Sequence, residues 1–174
     1  MSIDNKFNDI KAKIMNMKHI DREKFVDELH KWITEISFFY NVVAKNEQNP
    51  SHVSYKIKPS KRPTEGHIAY FNLRRGYPKE TYDDHWCYIL KDFGTKYLII
   101  PTTSIKEDLK KCNENYEMDI DDYTNNGKSR LQITDLRSVD AMRVSQSVNP
   151  NYYDVKTPRS TIIEKVEAVI FSWL

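Results

Sequence analysis

The sequence predicts an α+β protein in which a helical N-terminal extension precedes a small β-barrel or strongly bent sheet, itself closed by a C-terminal helix. Three observations predict it. Apolar residues recur at helical spacing as far as Ala44. After Pro63 the pattern changes to short strand-like runs separated by turn residues. Helical spacing returns from Thr161 to Leu174. Many short strands with a terminal helix fit a small barrel or bent sheet.

Asp21 to Ala44 is the clearest helix, with Phe25, Leu29, Trp32, Ile33, Ile36, Phe39, Tyr40 and Val43 on one wide apolar face. Asp21 can cap it, and Lys24 three residues on means that no capping box forms. A weaker helix is expected over Asp4 to Met17, through Phe7, Ile10, Ile14 and Met17. Lys45 to Pro63 is polar, holds Pro50, Pro59 and Pro63, and reads as a loop or linker. The expected division is therefore a helical extension and linker over 1–62 and a barrel domain over 63–174. Within the latter, strands are expected at Gly66–Leu73, Trp86–Lys91, Tyr97–Pro101 and Arg130–Ile133, and Leu136–Val139 and Met142–Val144 flank a turn at Asp140. Asp92-Phe93-Gly94-Thr95 has the chemistry of a tight hairpin turn between the second and third strands.

Composition narrows the function. The 174 residues are 39% hydrophobic and 30% charged, which is globular rather than disordered. Only 4 glycines argue against glycine-rich phosphate loops, and 11 tyrosines favour strands and wet binding surfaces. No apolar run is long enough for a membrane helix, and Met1–Ile20 lacks a signal core, so a cytoplasmic protein is expected. The two cysteines, Cys87 and Cys112, form no CxxC, so zinc sites of the usual spacing and a structural disulfide are not expected. No cofactor is called for. Although the net charge is only +2, Ser51–Lys79 holds seven bases (Lys56, Lys58, Lys61, Arg62, Arg74, Arg75, Lys79) against Glu65 alone. That stretch suits either a polyanion or a solvated face. Glu114–Asp122 holds five acids and no base and is expected to be an exposed loop.

Two clusters can carry chemistry. Thr102-Thr103-Ser104 follows Pro101 at an expected strand end. Its hydroxyls suit an anion, and equally Ser104 can cap a helix-like Ile105–Lys111. Asp83-Asp84-His85-Trp86 brings a histidine to the head of a strand, where it can transfer protons or simply pack. His67 has the same ambiguity. No GxSxG, P-loop or HExxH is present.

In order along the chain, GHIAYFNL (Gly66–Leu73), HWCYIL (His85–Leu90), LIIPTTS (Leu98–Ser104) and TDLRSVDAMR (Thr134–Arg143) resemble the four signature segments of the PemK/MazF toxin family. The resemblance spans Pro63 to Leu174, with an insertion in the acidic region, and leaves the first 60 or so residues uncovered. It implies an SH3-like barrel, a homodimer, a cognate antitoxin, and metal-independent cleavage of single-stranded RNA through attack of the 2′-hydroxyl on the adjacent phosphate. By the same resemblance His85 stands where the family has its catalytic arginine, a departure, and Thr103 stands at the catalytic threonine. The implied roles are proton transfer by His85 and hydrogen bonding to the scissile phosphate by Thr103 with Ser104. Arg74, Arg75 and Lys79 would hold neighbouring phosphates. Arg137 would either reach RNA or pair with Asp140. Tyr77, Tyr82 and Trp86 would stack on bases, with core packing the other reading of Trp86.

Two further readings compete with this: a nucleic-acid-binding module that no longer cleaves, and a protein-interaction domain on the same kind of barrel. Convergence of His85 and Thr103 beside basic residues favours cleavage, and an apolar groove favours interaction. The N-terminal helix can cover the barrel, build a dimer interface or bind another protein.

Overall fold

A computed structural model describes residues 1–106, 111–122 and 127–171. They fall into two compact units, Met1–Ser51 and His52–Leu174.

The first unit is helical. Helix α1 covers Ile3–Asn16, with the Ser2 hydroxyl accepting from the Asn5 amide at 3.2 Å. Helix α2 covers Arg22–Phe38 and runs into a π-helical turn, Phe39–Val43. Asp21 caps α2 by accepting from the Lys24 amide at 3.0 Å, as the sequence predicts. The wide apolar face of α2 is largely in solvent: Trp32, Ile33 and Ile36 are 44%, 52% and 41% exposed.

The second unit is a seven-stranded antiparallel sheet with a C-terminal helix. The strands are β1 (His67–Asn72), β2 (Asp84–Asp92), β3 (Lys96–Ser104), β4 (Glu117–Asp121), β5 (Lys128–Gln132), β6 (Arg137–Asp140) and β7 (Tyr152–Asp154). Helix α3 covers Arg159–Phe171. The sheet runs β4-β5-β3-β2-β1-β7 and is not closed, and β6 also pairs with β3. β3 is the pivot. Its first half, Lys96–Ile99, pairs with β6 and its last three residues, Thr102–Ser104, pair with β5. Pro101, which has no N–H to give a neighbour, lies between the two halves, where the change of partner makes the missing donor harmless.

Alternation along the strands builds two cores, one on each face. Ala69, Phe71, Cys87, Ile89, Tyr97 and Ile99 form one, with Ile57 from the preceding loop and Val139, Ala141 and Val144. Ile68, Tyr88, Ile100, Ile120, Leu131 and Ile133 form the other, covered by Ile162 and Val166 of α3. Arg62 pins the β2–β3 hairpin, donating to both Asp92 carboxylate oxygens at 2.7 and 2.9 Å and to the Gly94 carbonyl at 2.8 Å. Gly94 takes the left-handed conformation that the turn needs, at φ +86°.

Two expectations are corrected. The third strand does not stop at Pro101 but continues to Ser104, so Thr102 and Thr103 are strand residues. The helix expected over Ile105–Lys111 lies partly outside the described residues. The acidic stretch is not an exposed loop: Glu117–Asp121 is β4, with Ile120 buried. Its acids alternate with Met118 and Ile120, which face the second core.

Candidate active site

The register sets up two opposed sets across the sheet. The β2–β3 pairing ends with Cys87 opposite Pro101, and His85 and Thr103 lie two residues beyond that pair, on the same side of their strands as it. The Thr102 hydroxyl holds the two strands together there, donating to the Trp86 carbonyl at 3.0 Å. On the far side of β3, Thr103 is opposite Arg130, and Arg130 is opposite Asp119. On the near side His85 is opposite Phe71, which bridges to Val144. Directly opposed residues share a face. Val144, Phe71 and His85 therefore form one opposed set, and Thr103, Arg130 and Asp119 another.

His85 is half-buried, and its Nδ1 lies 3.2 Å from the Tyr82 carbonyl oxygen. A carbonyl can only accept, so this contact requires the proton on Nδ1, and in the neutral ring Nε2 is then the nitrogen with the lone pair. Thr103 is half-buried and Ser104, opposite Ser129, is exposed. Arg130 is 5% exposed and its guanidinium meets Asp119 at 2.6 and 3.1 Å, with Glu117 at 3.8 Å. The hydrogen bonds to Asp119 raise its already high pKa further. Sequence reasoning missed Arg130 and Asp119 as site residues, although an arginine inside the short run RLQI was the available signal.

The β1–β2 loop, residues 73–83, holds most of the other expected RNA contacts. Its base is tight: the Leu73 amide donates to the Asp83 carbonyl at 2.8 Å and the Asp83 amide to the Arg74 carbonyl at 3.0 Å. Both Arg74 and Asp83 are left-handed, at φ +73° and +60°, a conformation that costs a residue with a side chain about 1 kcal/mol or more. Arg75 donates to Asp83 at 2.6 Å and stacks over Tyr82, 4.4 Å from the ring centroid. Tyr77 and Lys79 are exposed at the loop tip. Arg137 does not pair with Asp140. It donates to the Asp135 and Thr81 carbonyls at 3.2 and 3.0 Å, with the Asp135 carboxylate at 3.9 Å. That carboxylate accepts from the Thr81 amide at 2.8 Å and from the Thr81 hydroxyl, which docks the loop on the β5–β6 connection.

Trp86 alternates with His85 and so faces the other side of the sheet. It lies between Tyr70 and Tyr153, with ring centroids 5.1 and 5.2 Å away. The structure thus brings His85, Thr103 and, beyond β3, Arg130 to one face, and leaves Trp86 on the other.

No protein-family model matches this chain, and no curated protein matches it.

Proposed function

We propose that the protein is a metal-independent endoribonuclease that cleaves single-stranded RNA. What supports this is His85, with its Nδ1 proton committed to the Tyr82 carbonyl, just past the end of the β2–β3 pairing at Cys87 and Pro101, with the Thr103 hydroxyl on the same side of the neighbouring strand. In the step proposed, His85 Nε2 takes the proton of a ribose 2′-hydroxyl. The 2′-oxygen bonds to the adjacent phosphorus, the bond from phosphorus to the 5′-oxygen breaks, and the leaving oxygen takes a proton from water. The products are a 2′,3′-cyclic phosphate and a 5′-hydroxyl end. Thr103 donates to a non-bridging oxygen as charge builds there, while Ser104, the next residue of β3, faces the other side of the sheet and takes no part. Lys79 and Tyr77, exposed on the β1–β2 loop, contact the flanking strand. On this reading the bent sheet is an SH3-like barrel of the PemK/MazF kind, the chain works as a cytoplasmic homodimer, and a cognate antitoxin occupies the RNA face.

One observation favours a second reading, a nucleic-acid-binding module without cleavage. Arg130 and Arg75 are already matched by Asp119 and Asp83, so fewer cations are left for phosphate.

The test is incubation of the pure protein with a long, unstructured RNA in EDTA, beside His85→Ala and Thr103→Ala. Discrete cuts with cyclic-phosphate ends, lost in both variants, support cleavage. Intact RNA that is nonetheless bound supports the second reading. Intact and unbound RNA leaves a protein-interaction domain.

A further inference from the structure

The first unit has no hydrophobic core of its own. Ala44 is the single buried apolar side chain among its residues, all of which are described. Of the sixteen large apolar side chains that stand exposed among the described residues, twelve lie in Met1–Ser51 and four in the larger second unit. Helices of 14 and 17 residues draw most of their stability from packing an apolar face, so a bare face of this size asks for a partner. That partner is not the other helix of the unit. Among the described residues α1 buries none of its own side chains and does not pack along α2. The turn between them is fastened: the Arg22 guanidinium donates to the Met17 carbonyl at 3.1 and 2.9 Å, and His19 is left-handed at φ +60°.

The bare face of α2 carries a repeat. Val26, Leu29, Ile33 and Ile36 follow one another at spacings of three, four and three residues, which sets them in one stripe along the regular part of the helix. Val26, Ile33 and Ile36 are 44%, 52% and 41% exposed, and Leu29 is half-buried. In a heptad Val26 and Ile33 are a residues, and Leu29 and Ile36 are d residues. A β-branched a layer with Leu at the first d position favours two parallel strands. The flanks suit an identical neighbour. In a parallel pair each g side chain meets the next e side chain of the partner, so Phe25 meets His30 and Trp32 meets Ser37, and no like charges face each other across the seam. The charges lie off the stripe, where Glu28 pairs with Lys31 at 2.6 Å. Arg22, Lys24 and Lys31 stand against Glu23, Asp27, Glu28 and Glu35, so α2 is net acidic and is not built for an anionic lipid surface.

We infer that α2 pairs in parallel with α2 of a second copy of this chain, through the stripe of Val26, Leu29, Ile33 and Ile36, so that the first unit is a self-association module. An identical stripe meets itself a on a and d on d, and the contact closes on two copies. This pairing does not rest on the ribonuclease reading, whose homodimer belongs to the PemK/MazF-like barrel. Where both contacts form, the chain is a tetramer.

The experiment measures the mass of the full chain by sedimentation over a range of concentrations, for wild type, Ile33→Asp and Thr34→Asp. Ile33→Asp sets two carboxylates against each other in a layer closed to water. Thr34→Asp puts the same charge on an exposed position facing away from the stripe. Burying an unpaired charge weakens association on the order of a hundredfold or more. Ile33→Asp should therefore halve the mass of wild type at equal concentration, and Thr34→Asp should leave it unchanged. Equal masses for wild type and Ile33→Asp overturn the pairing. Two monomers would leave the stripe to a different protein, and two dimers would be held by the barrel alone. Far-UV dichroism reports whether each variant folds. If Ile33→Asp does not, Val26→Cys in a Cys112→Ser background is the second variant, since Cys87 is buried. Parallel pairing sets position 26 against itself, so oxidation should link this protein covalently faster than Thr34→Cys in the same background, and equal rates overturn the pairing. Failure of the RNA cleavage test leaves these masses unaffected, so the two proposals fail separately.

Discussion

His67 and His85 hold their ring protons on opposite nitrogens. The Thr64 amide, which can only donate, lies 2.9 Å from His67 Nδ1, so that nitrogen carries the lone pair and Nε2 donates to Asp154 at 3.1 Å. His67 also stacks on Tyr152, with centroids 4.7 Å apart. It is fully occupied in holding the Thr64 turn and β7 to β1. At His85 the Tyr82 carbonyl requires the reverse tautomer and leaves Nε2 able to accept a proton. Two histidines at strand heads, alike in sequence, are thus divided by their neighbours into a structural group and a candidate base.

This assignment predicts two distinct signatures in long-range proton–nitrogen NMR above the titration range. His85 should show a protonated Nδ1 and a bare Nε2, and His67 the opposite. A proton on Nε2 of His85 would remove the base from the proposed step. His67→Ala should leave RNA cleavage in place and cost about 1 kcal/mol of stability through the lost turn bond, measured by urea unfolding.

Arg130 should tolerate paired replacement better than single replacement. Alone, Arg130→Met leaves Asp119 and Glu117 facing each other and their former partner missing. Asp119 is partly solvated, so the expected loss is about 1–3 kcal/mol, below that for a wholly buried pair. Adding Asp119→Leu should recover part of it. Chemical denaturation of both variants decides, and a double variant no more stable than the single would show that packing rather than charge holds this corner.

How much of this was legible in the sequence depends on what each residue reports locally. Asp21 capped its helix as read, because an N-cap is a three-residue event. The hairpin at Asp92–Thr95 was likewise local. Thr102–Ser104 were misplaced because Pro101 reads as a strand stop, and only the change of partner from β6 to β5 lets the strand pass it. β4 was hidden by its charge: the alternation Glu117, Met118, Asp119, Ile120, Asp121 is a strand pattern, yet the missing cation, Arg130, lies on another strand. The three-residue β7 gave no signal at all. The opposed faces of His85 and Trp86 were legible, since neighbours in a strand point apart.

Tyr97 makes a test at alkaline pH. It is fully buried in the first core and its hydroxyl donates to the Pro63 carbonyl at 3.0 Å. Burial, reinforced by Asp92, raises its pKa from 10.0 to about 12. The folded protein therefore keeps this proton when the unfolded chain has lost it. The stabilisation is full below the ordinary tyrosine range and is lost as pH rises from 10.0 towards about 12. Tyr97→Phe should lose about 1 kcal/mol near neutrality from the missing hydrogen bond. Its Tm should then fall less steeply than that of wild type through the alkaline window. Parallel curves would mean that the Tyr97 hydroxyl reaches water.

Glu65 makes the corresponding test in acid. It lies just ahead of β1 and gathers three elements: Lys91 of β2 at 2.8 Å, the Asp92 amide at 3.3 Å, and Arg159 at the start of α3 at 3.2 Å. Arg159 in turn donates to the Leu90 carbonyl at 3.0 Å, so the carboxylate ties the helix to the end of β2. Lys91 first, then the Asp92 amide and Arg159, hold the Glu65 carboxyl below its usual range. A depressed acid contributes above its unfolded pKa, and the contribution fades as pH falls through the folded value. Glu65→Gln should therefore lower Tm near neutral pH, and the gap to wild type should close by about pH 3. High salt at neutral pH should also narrow it, because the group is partly solvated and its partners are screened. A gap that stays constant with pH and salt would mean that side-chain shape, not charge, fastens α3 to the sheet at this corner.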